Sequence, residues 1–287
     1  MDLPAALQVA VLAWAATELR DLPWRRTRDP WAVLVAELML QQTQVPRVLP
    51  KYHEFLSAFP TPAACAAAPR ADVVRLWDGL GYNRRAVHLH RAAEAVVRAG
   101  AFPSTLDGLL ALPGVGPYTA RAVLAYAFEA DAAVVDTNVA RVLARVHGRT
   151  LSPKHAQAAA DRLLPPGEAW AWNQAVMDIG ARWCRPHPPA CTECPLAPWC
   201  GWHGAGHPEP DPAVGSAHVS GPQSPFAGSD RAGRGRLVAA LRRAPVLVSE
   251  VPVAMGWPDD ADRAARVLAG LVADGLVVVS DGVIDLR

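Results

Sequence analysis

Four of the five cysteines, Cys184, Cys191, Cys194 and Cys200, lie within seventeen residues, with six, two and five residues between successive members. Thiolates this close in sequence can converge on one metal centre. Disulfides are not expected, because no secretory signal is seen. Structural zinc usually takes two close pairs with a longer spacer, and here only one pair is close. Ligation by four cysteines also suits a [4Fe–4S] cluster, so spacing alone leaves zinc and iron–sulfur both open. Five prolines (Pro186, Pro188, Pro189, Pro195, Pro198) favour a loop. Cys65, far off in an alanine-rich stretch, reads as an ordinary buried cysteine.

Two carboxylates stand out for opposite reasons. Glu37 sits within Trp31–Leu40 (WAVLVAELML), where nearly every neighbour is apolar. A lone carboxylate in a buried helix is costly unless paired or protonated, which points to use in catalysis or to a buried structural hydrogen bond. Asp136 precedes Thr137, Asn138 and an apolar series at helical spacing, the position of an N-cap. Such an aspartate is expected to stay ionised, held by backbone N–H groups and the helix dipole. One protonated and one charged carboxyl are what acid-assisted glycosidic cleavage requires.

The stretch Leu112-Pro113-Gly114-Val115-Gly116-Pro117-Tyr118 lies between two helical segments. Gly114 and Gly116 allow a tight reversal and leave N–H groups uncovered beside a helix start, where a phosphate can dock without lysine. The plainer reading is a helix–helix connection. Only two lysines, Lys51 and Lys154, are present.

The elements that must position these residues are mainly α-helical. Residues 1–203 show helical apolar spacing punctuated by Pro and Gly, and contain the cysteine loop, 184–200. Residues 204–235 are rich in Gly, Pro, Ser and Ala and read as a flexible linker. Residues 236–287 read as a small winged-helix-like unit: helices, then VVVSDGVIDL with Asp281-Gly282 as a hairpin turn. The net charge is +1, but residues 1–204 hold 20 Lys+Arg against 17 Asp+Glu, and the remainder 8 against 10. No apolar run is long enough to span a membrane, so a cytoplasmic, nucleoid-associated protein is expected.

Together these segments resemble the helix-hairpin-helix DNA glycosylases, most closely the adenine DNA glycosylase family (MutY). The stretches that carry the likeness are LPWR (22–25), AELMLQQTQV (36–45), LWDGLGY (76–82), ALPGVGPYTA (111–120), VDTNVARVLAR (135–145), WNQAVMDIGARWC (172–184) and the four cysteines. The hairpin and the cysteine spacing are shared with the endonuclease III branch, which lacks a glutamate in the AELMLQQTQ stretch. The resemblance implies a monofunctional base-excision repair enzyme with a [4Fe–4S] cluster held by Cys184, Cys191, Cys194 and Cys200. It implies double-stranded DNA containing adenine mispaired with 8-oxoguanine or guanine as partner, bound by a monomer. Glu37 would protonate adenine N7 and later help activate water. Asp136 would stabilise the oxocarbenium sugar, with Tyr118 and Asn138 in the same pocket. Arg25 would line the adenine site. Gln42, Thr43, Leu80 and Tyr82 would meet the duplex around the extruded base, and Gly114 and Gly116 the phosphates.

The sequence departs from the family in Asn83 after Gly81-Tyr82, in Thr137 where many members have glycine, and in the tail. The usual C-terminal domain is larger, nudix-like, and recognises oxidised guanine. Residues 236–287 are too short for it and look more like the short form of some high-GC bacteria. The acids Asp259, Asp260 and Asp262 open the tail's second long helix, which argues against its reading DNA. Alternatives are a thymine or uracil mismatch glycosylase, and a non-catalytic DNA-damage-binding protein. Glu37 speaks for a purine substrate, because thymine leaves as a stabilised anion.

Overall fold

A computed structural model describes residues 5–217, 219 and 225–287. In chain order the helices are α1 (Ala5–Glu18), α2 (Pro30–Leu40), α3 (Val45–Ala58), α4 (Pro62–Ala67), α5 (Arg70–Leu76), α6 (Arg84–Ala99), α7 (Leu106–Leu110) and α8 (Pro117–Ala127). They continue with α9 (Thr137–His147), α10 (Pro153–Leu163), α11 (Ala169–Arg182) and the single turn α12 (Gly201–Gly204). The tail adds α13 (Asp230–Leu241), α14 (Val251–Met255) and α15 (Ala261–Ala273), with strands β1 (Val246–Leu247), β2 (Val277–Ser280) and β3 (Val283–Leu286).

Local chemistry explains the starts. Thr61 accepts from the Ala64 amide, Ser152 from His155 and Asp136 from Val139, and proline occupies an N1 or N2 position in α4 and α10. In the tail Ser229 caps α13 and Asp260 caps α15 in the same way.

The chain forms two compact units, each built from discontinuous segments. The first comprises Met1–Val33, Ser104–Asp107 and Gly116–Pro222. Here α11 packs on α1, α8 and α9, and α9 also meets α10 and α12. Its core includes Leu7, Val11, Val139, Leu143, Trp172, Val176 and Ile179. These lie at helical spacing within their segments, as the sequence pattern required.

The second unit comprises Leu34–Pro103, Gly108–Val115 and Gln223–Arg287. In it α6 packs on α4 and α5, with Trp77, Phe55 and Leu89 fully buried. The tail belongs to this unit. Its three helices pack on one another, β3 lies between β1 and β2, and β3 also meets α5. The hairpin turn at Asp281-Gly282 has both residues at positive φ, 51° and 75°, as a two-residue I′ turn demands.

Two features differ from the sequence expectation. Within 204–235, read as a flexible linker, the described residues 208–216 are held against the first unit, and residues 218 and 220–224 lie outside the described residues. Pro212, Ala213 and Ser216 are buried, the Trp202 indole donates to Pro208 O (2.9 Å), and Asp211 pairs with Arg145 (2.6 Å). Composition missed this because the anchors are two isolated residues, Trp202 and Asp211, whose partners lie elsewhere. In addition, α13 starts at Asp230 rather than near 236. The Arg242 guanidinium of the tail is bound by Val74 O, the Asp78 carboxylate and Asn83 Oδ1, so this unit's helices and tail are directly joined.

Candidate active site

In the first unit Asp136 sits at the N-terminus of α9. Its Oδ1 accepts from the Val139 amide (2.7 Å) and its Oδ2 from Asn138 Nδ2 (2.9 Å). Asn138 Oδ1 in turn accepts from Arg141 Nη2 (2.8 Å). Arg141 is buried and also donates to Gly180 O (2.8 Å) and to the Cys184 carbonyl. A side chain at Gly180 would meet Asn138 Cβ at 2.8 Å, so this glycine lets α11 approach α9 closely enough for the series to close. An unbroken chain of hydrogen bonds therefore runs from the Asp136 carboxyl to the first cysteine of the loop. Arg141 escaped the sequence reading, since VARVLAR looks like a helix with two surface arginines. The signal was its i+3 spacing from Asn138.

At Asp136 two effects oppose each other. Burial pushes its carboxyl above the ordinary aspartate value, and the opposing hydrogen bonds from Val139 and Asn138 do not restore it. The N-cap geometry is as expected, but desolvation outweighs it.

Tyr118, partly exposed, stands in the first turn of α8, whose N-cap is Gly116. Arg25 does not present an open guanidinium. It is 8% exposed and forms a bidentate pair with Asp178 (2.7 and 2.9 Å), which Arg20 also contacts at 2.8 Å. Burial alone would raise the Asp178 carboxyl, but the two guanidiniums outweigh it and hold it below its ordinary value.

The four cysteines, Arg145, Leu196 and Trp202 line one pocket. Arg145 Nη1 approaches Cys184 Sγ at 3.4 Å, and Cys200 Sγ faces Arg145 O at the same distance. Cys191, His203 and His207 bring three potential ligand atoms within 4.8 Å of one another, so two histidines stand beside the second cysteine of the loop. Burial raises Cys191, Cys194 and Cys200 as free thiols, Cys194 to about 12, so without a metal centre they keep their protons, and ligation would have to displace them.

In the second unit Glu37 is 5% exposed on α2. The loops after α2 and before α6 are held by a side chain the sequence reading missed, Arg85. Its Nη1 donates to the carbonyls of Leu38 (2.7 Å), Met39 (2.9 Å) and Gln41 (2.6 Å). Its Nη2 donates to Thr43 Oγ1 (3.0 Å), Leu80 O (2.9 Å) and Gly81 O (3.0 Å). One buried cation thus caps the end of the helix carrying Glu37 and fixes it to the 80–81 loop. Burial lowers Arg85 to about 10, which leaves it charged at neutral pH. Thr43 and buried Leu80 are joined a second time, by Thr43 Oγ1 donating to Leu80 O (3.1 Å).

Gln42 and Tyr82 both adopt left-handed backbone, φ 55° and 44°, and both are exposed. Non-glycine residues in this region are strained by ~1 kcal/mol or more, and such strain gathers at functional sites. Gly114 also requires it, with φ 80°, and a Cβ there would lie 2.6 Å from His88. Gly116 has ordinary φ and open space around it, so its role is to leave the start of α8 uncovered.

Residues 35–166 match the family of HhH-GPD superfamily base excision DNA repair proteins, the class that this hairpin and helical fold define. The chain is 42% identical to the adenine DNA glycosylase of Mycobacterium tuberculosis over 280 residues, covering 93% of this chain and 88% of that protein. It is 40% identical to the adenine DNA glycosylase of Mycolicibacterium smegmatis, covering 94% and 92%. A solved thermostable thymine-DNA glycosylase matches with a TM-score of 0.67 at 31% identity, covering 70% of this chain and 96% of that one. The chain belongs to the adenine DNA glycosylase family.

Proposed function

We propose that the protein hydrolyses the N-glycosidic bond of adenine mispaired with 8-oxoguanine or guanine in double-stranded DNA. Likeness to adenine DNA glycosylases along 93% of the chain, tail included, carries this reading. Glu37 is the general acid. Its proton passes to adenine N7, and the C1′–N9 bond breaks with its electron pair on the base. Asp136, as the anion, faces the oxocarbenium sugar. A poorly solvated carboxylate, such as burial makes of Asp136, gains more from a developing cation than a hydrated one does. Water adds at C1′ and returns a proton to the Glu37 carboxylate. Asn138 keeps Asp136 oriented, and Tyr118 shares its pocket. Arg25 acts as a positioning residue through Asp178. No lysine joins these groups: Lys51 pairs with Glu54 on α3, and Lys154 is exposed on α10. The enzyme therefore works without a Schiff base.

Cys184, Cys191, Cys194 and Cys200 would hold a [4Fe–4S] cluster. Bound there, it would tie the loop together and accept or release an electron. The hydrolysis itself is carried by the carboxylates.

The thymine-DNA glycosylase likeness supports a mismatch-thymine reading as the second choice. Single-turnover assays on A:8-oxoguanine, A:G, T:G and U:G duplexes separate the two. Adenine release from the first two, abolished in Glu37→Gln, is expected. Excision confined to T:G or U:G would replace the adenine reading.

A further inference from the structure

The acidic opening of α15 argued that the tail stands apart from DNA. The structure shifts the question to α13. A groove of about 1040 Å³ within the second unit is lined by Gln42, Thr43 and Tyr82 from the strained loops, and by Phe226, Arg231 and Arg234 from the tail. Arg231 Nη1 lies 3.5 Å from the Tyr82 hydroxyl. Phe226 is 63% exposed, an aromatic face left uncovered at the groove. Gly114 of the hairpin lines the same groove.

Its charge is one-sided. Arg47, Arg84, Arg231 and Arg234 line it beside the committed Arg85, and Asp274 is the only carboxylate among the lining residues. Asp274 is shared between Arg234 and Arg84. One acid cannot neutralise four guanidiniums. His88 adds no balancing charge, because burial and then Arg84 and Arg91 lower it and keep it neutral. Arg47 and Arg84 are exposed and Arg231 and Arg234 half-buried; guanidiniums for phosphates beside an uncovered ring for a base face are the equipment for a nucleic-acid strand.

We propose that the first turns of α13 are a DNA contact, resting on the glycosylase reading above. Arg231 and Arg234 hold phosphates of the strand into which Gln42 and Tyr82 wedge, and Phe226 stacks on an unpaired or distorted base there. The tail thus completes the DNA groove through α13, and α15 with its acids serves to support α13: Arg263 of α15 pairs with Asp230 (2.7 Å).

The test uses the full chain with its cofactor, and an A:8-oxoguanine duplex whose adenosine carries a 2′-fluorine that blocks cleavage. Anisotropy titrations across salt concentrations compare wild type with R231A/R234A, R231K/R234K, F226A and R98A. Two lost phosphate contacts should lower the slope of log K against log salt by about 1.8 in R231A/R234A. R231K/R234K should restore the slope. F226A should weaken binding by about tenfold with the slope unchanged, the signature of lost stacking. R98A removes one such charge from an exposed position that does not line the groove and should bind as wild type. Unchanged affinity and slope in R231A/R234A would overturn the proposal. So would the same loss in R98A, or failure of the lysine pair to rescue. Adenine excision by wild type, measured in parallel on the cleavable duplex, separates failure of this proposal from failure of the glycosylase reading.

Discussion

The two units hold their carboxylates by opposite means. In the first, Asp136 is embedded in a polar series: amide, Asn138, Arg141, then the carbonyl of Cys184. In the second, Glu37 lies in an apolar helix, and the polar work falls on Arg85 just beyond it. In the proposed reaction the first arrangement would orient an anion, and the second would hold the general acid by gripping its helix end.

The largest expected effects are on the chemistry. Glu37→Gln and Asp136→Asn should each reduce single-turnover adenine excision by about 10²-fold to 10⁴-fold or more. They should part company in stability. Asp136→Asn keeps a capping oxygen but loses charge, and should change Tm little. Asp136→Ala should destabilise by about 0.5–2 kcal/mol through the lost cap. Glu37→Gln should keep or raise Tm. A Glu37 variant that unfolds, or an Asp136→Asn variant with normal excision, would reverse the assigned contrast.

Arg85→Ala comes next. It takes the guanidinium away from seven buried or partly buried acceptors, the six above and Tyr82 O, and a loss of about 3–5 kcal/mol in unfolding free energy is expected. Arg85→Lys keeps charge but not the fork, so it should recover part of the stability while excision stays low. Full recovery of both by lysine would show that charge alone matters at this position.

A smaller effect concerns pH. Asn138 donates to the charged form of Asp136, so removing it must raise a carboxyl that burial has already raised. Asn138→Ala should therefore move the acid limb of the excision rate to higher pH, with activity lost sooner on acidification. A downward shift, or none, would mean that Asn138 does not act through Asp136.

Smaller again is the anchor on the cysteine loop. Burial alone would lower Arg145, but Asp211 and Cys184 hold its charge in place. Asp211→Ala should lose visible absorbance faster under chelator than wild type while excising adenine at first at a normal rate. A chain ended near Gly204 should show the same lability, and one ended after Val219 should not. The smallest expected signal is borohydride trapping, which should be near zero. Efficient trapping lost in Lys51→Ala or Lys154→Ala would put an amine at the sugar.

Sequence alone carried the helical class, the cysteine loop, the Gly114–Gly116 reversal, the N-cap at Asp136 and the Asp281-Gly282 hairpin. Each rests on local chemistry: a periodicity, a capping side chain, or a backbone angle that few residues tolerate. It also marked Glu37, because one acid among apolar neighbours is visible without coordinates. Tertiary structure decided what depends on distant partners. Arg85 and Arg141 are ordinary helix arginines until the carbonyls they reach are known. Asp211 turns supposed linker into an anchor only because Arg145 lies opposite. The balance of burial and hydrogen bonding at Asp136 had the opposite outcome from a capped, solvated aspartate, since desolvation is set by everything packed around a group. The tail's charge, acidic when read along α15, became a basic groove because folding presents α13 beside Tyr82. Residue types and spacings fix what chemistry is available. Which groups are dry, and which cations face which carbonyls, is settled only when segments remote in sequence are brought into contact.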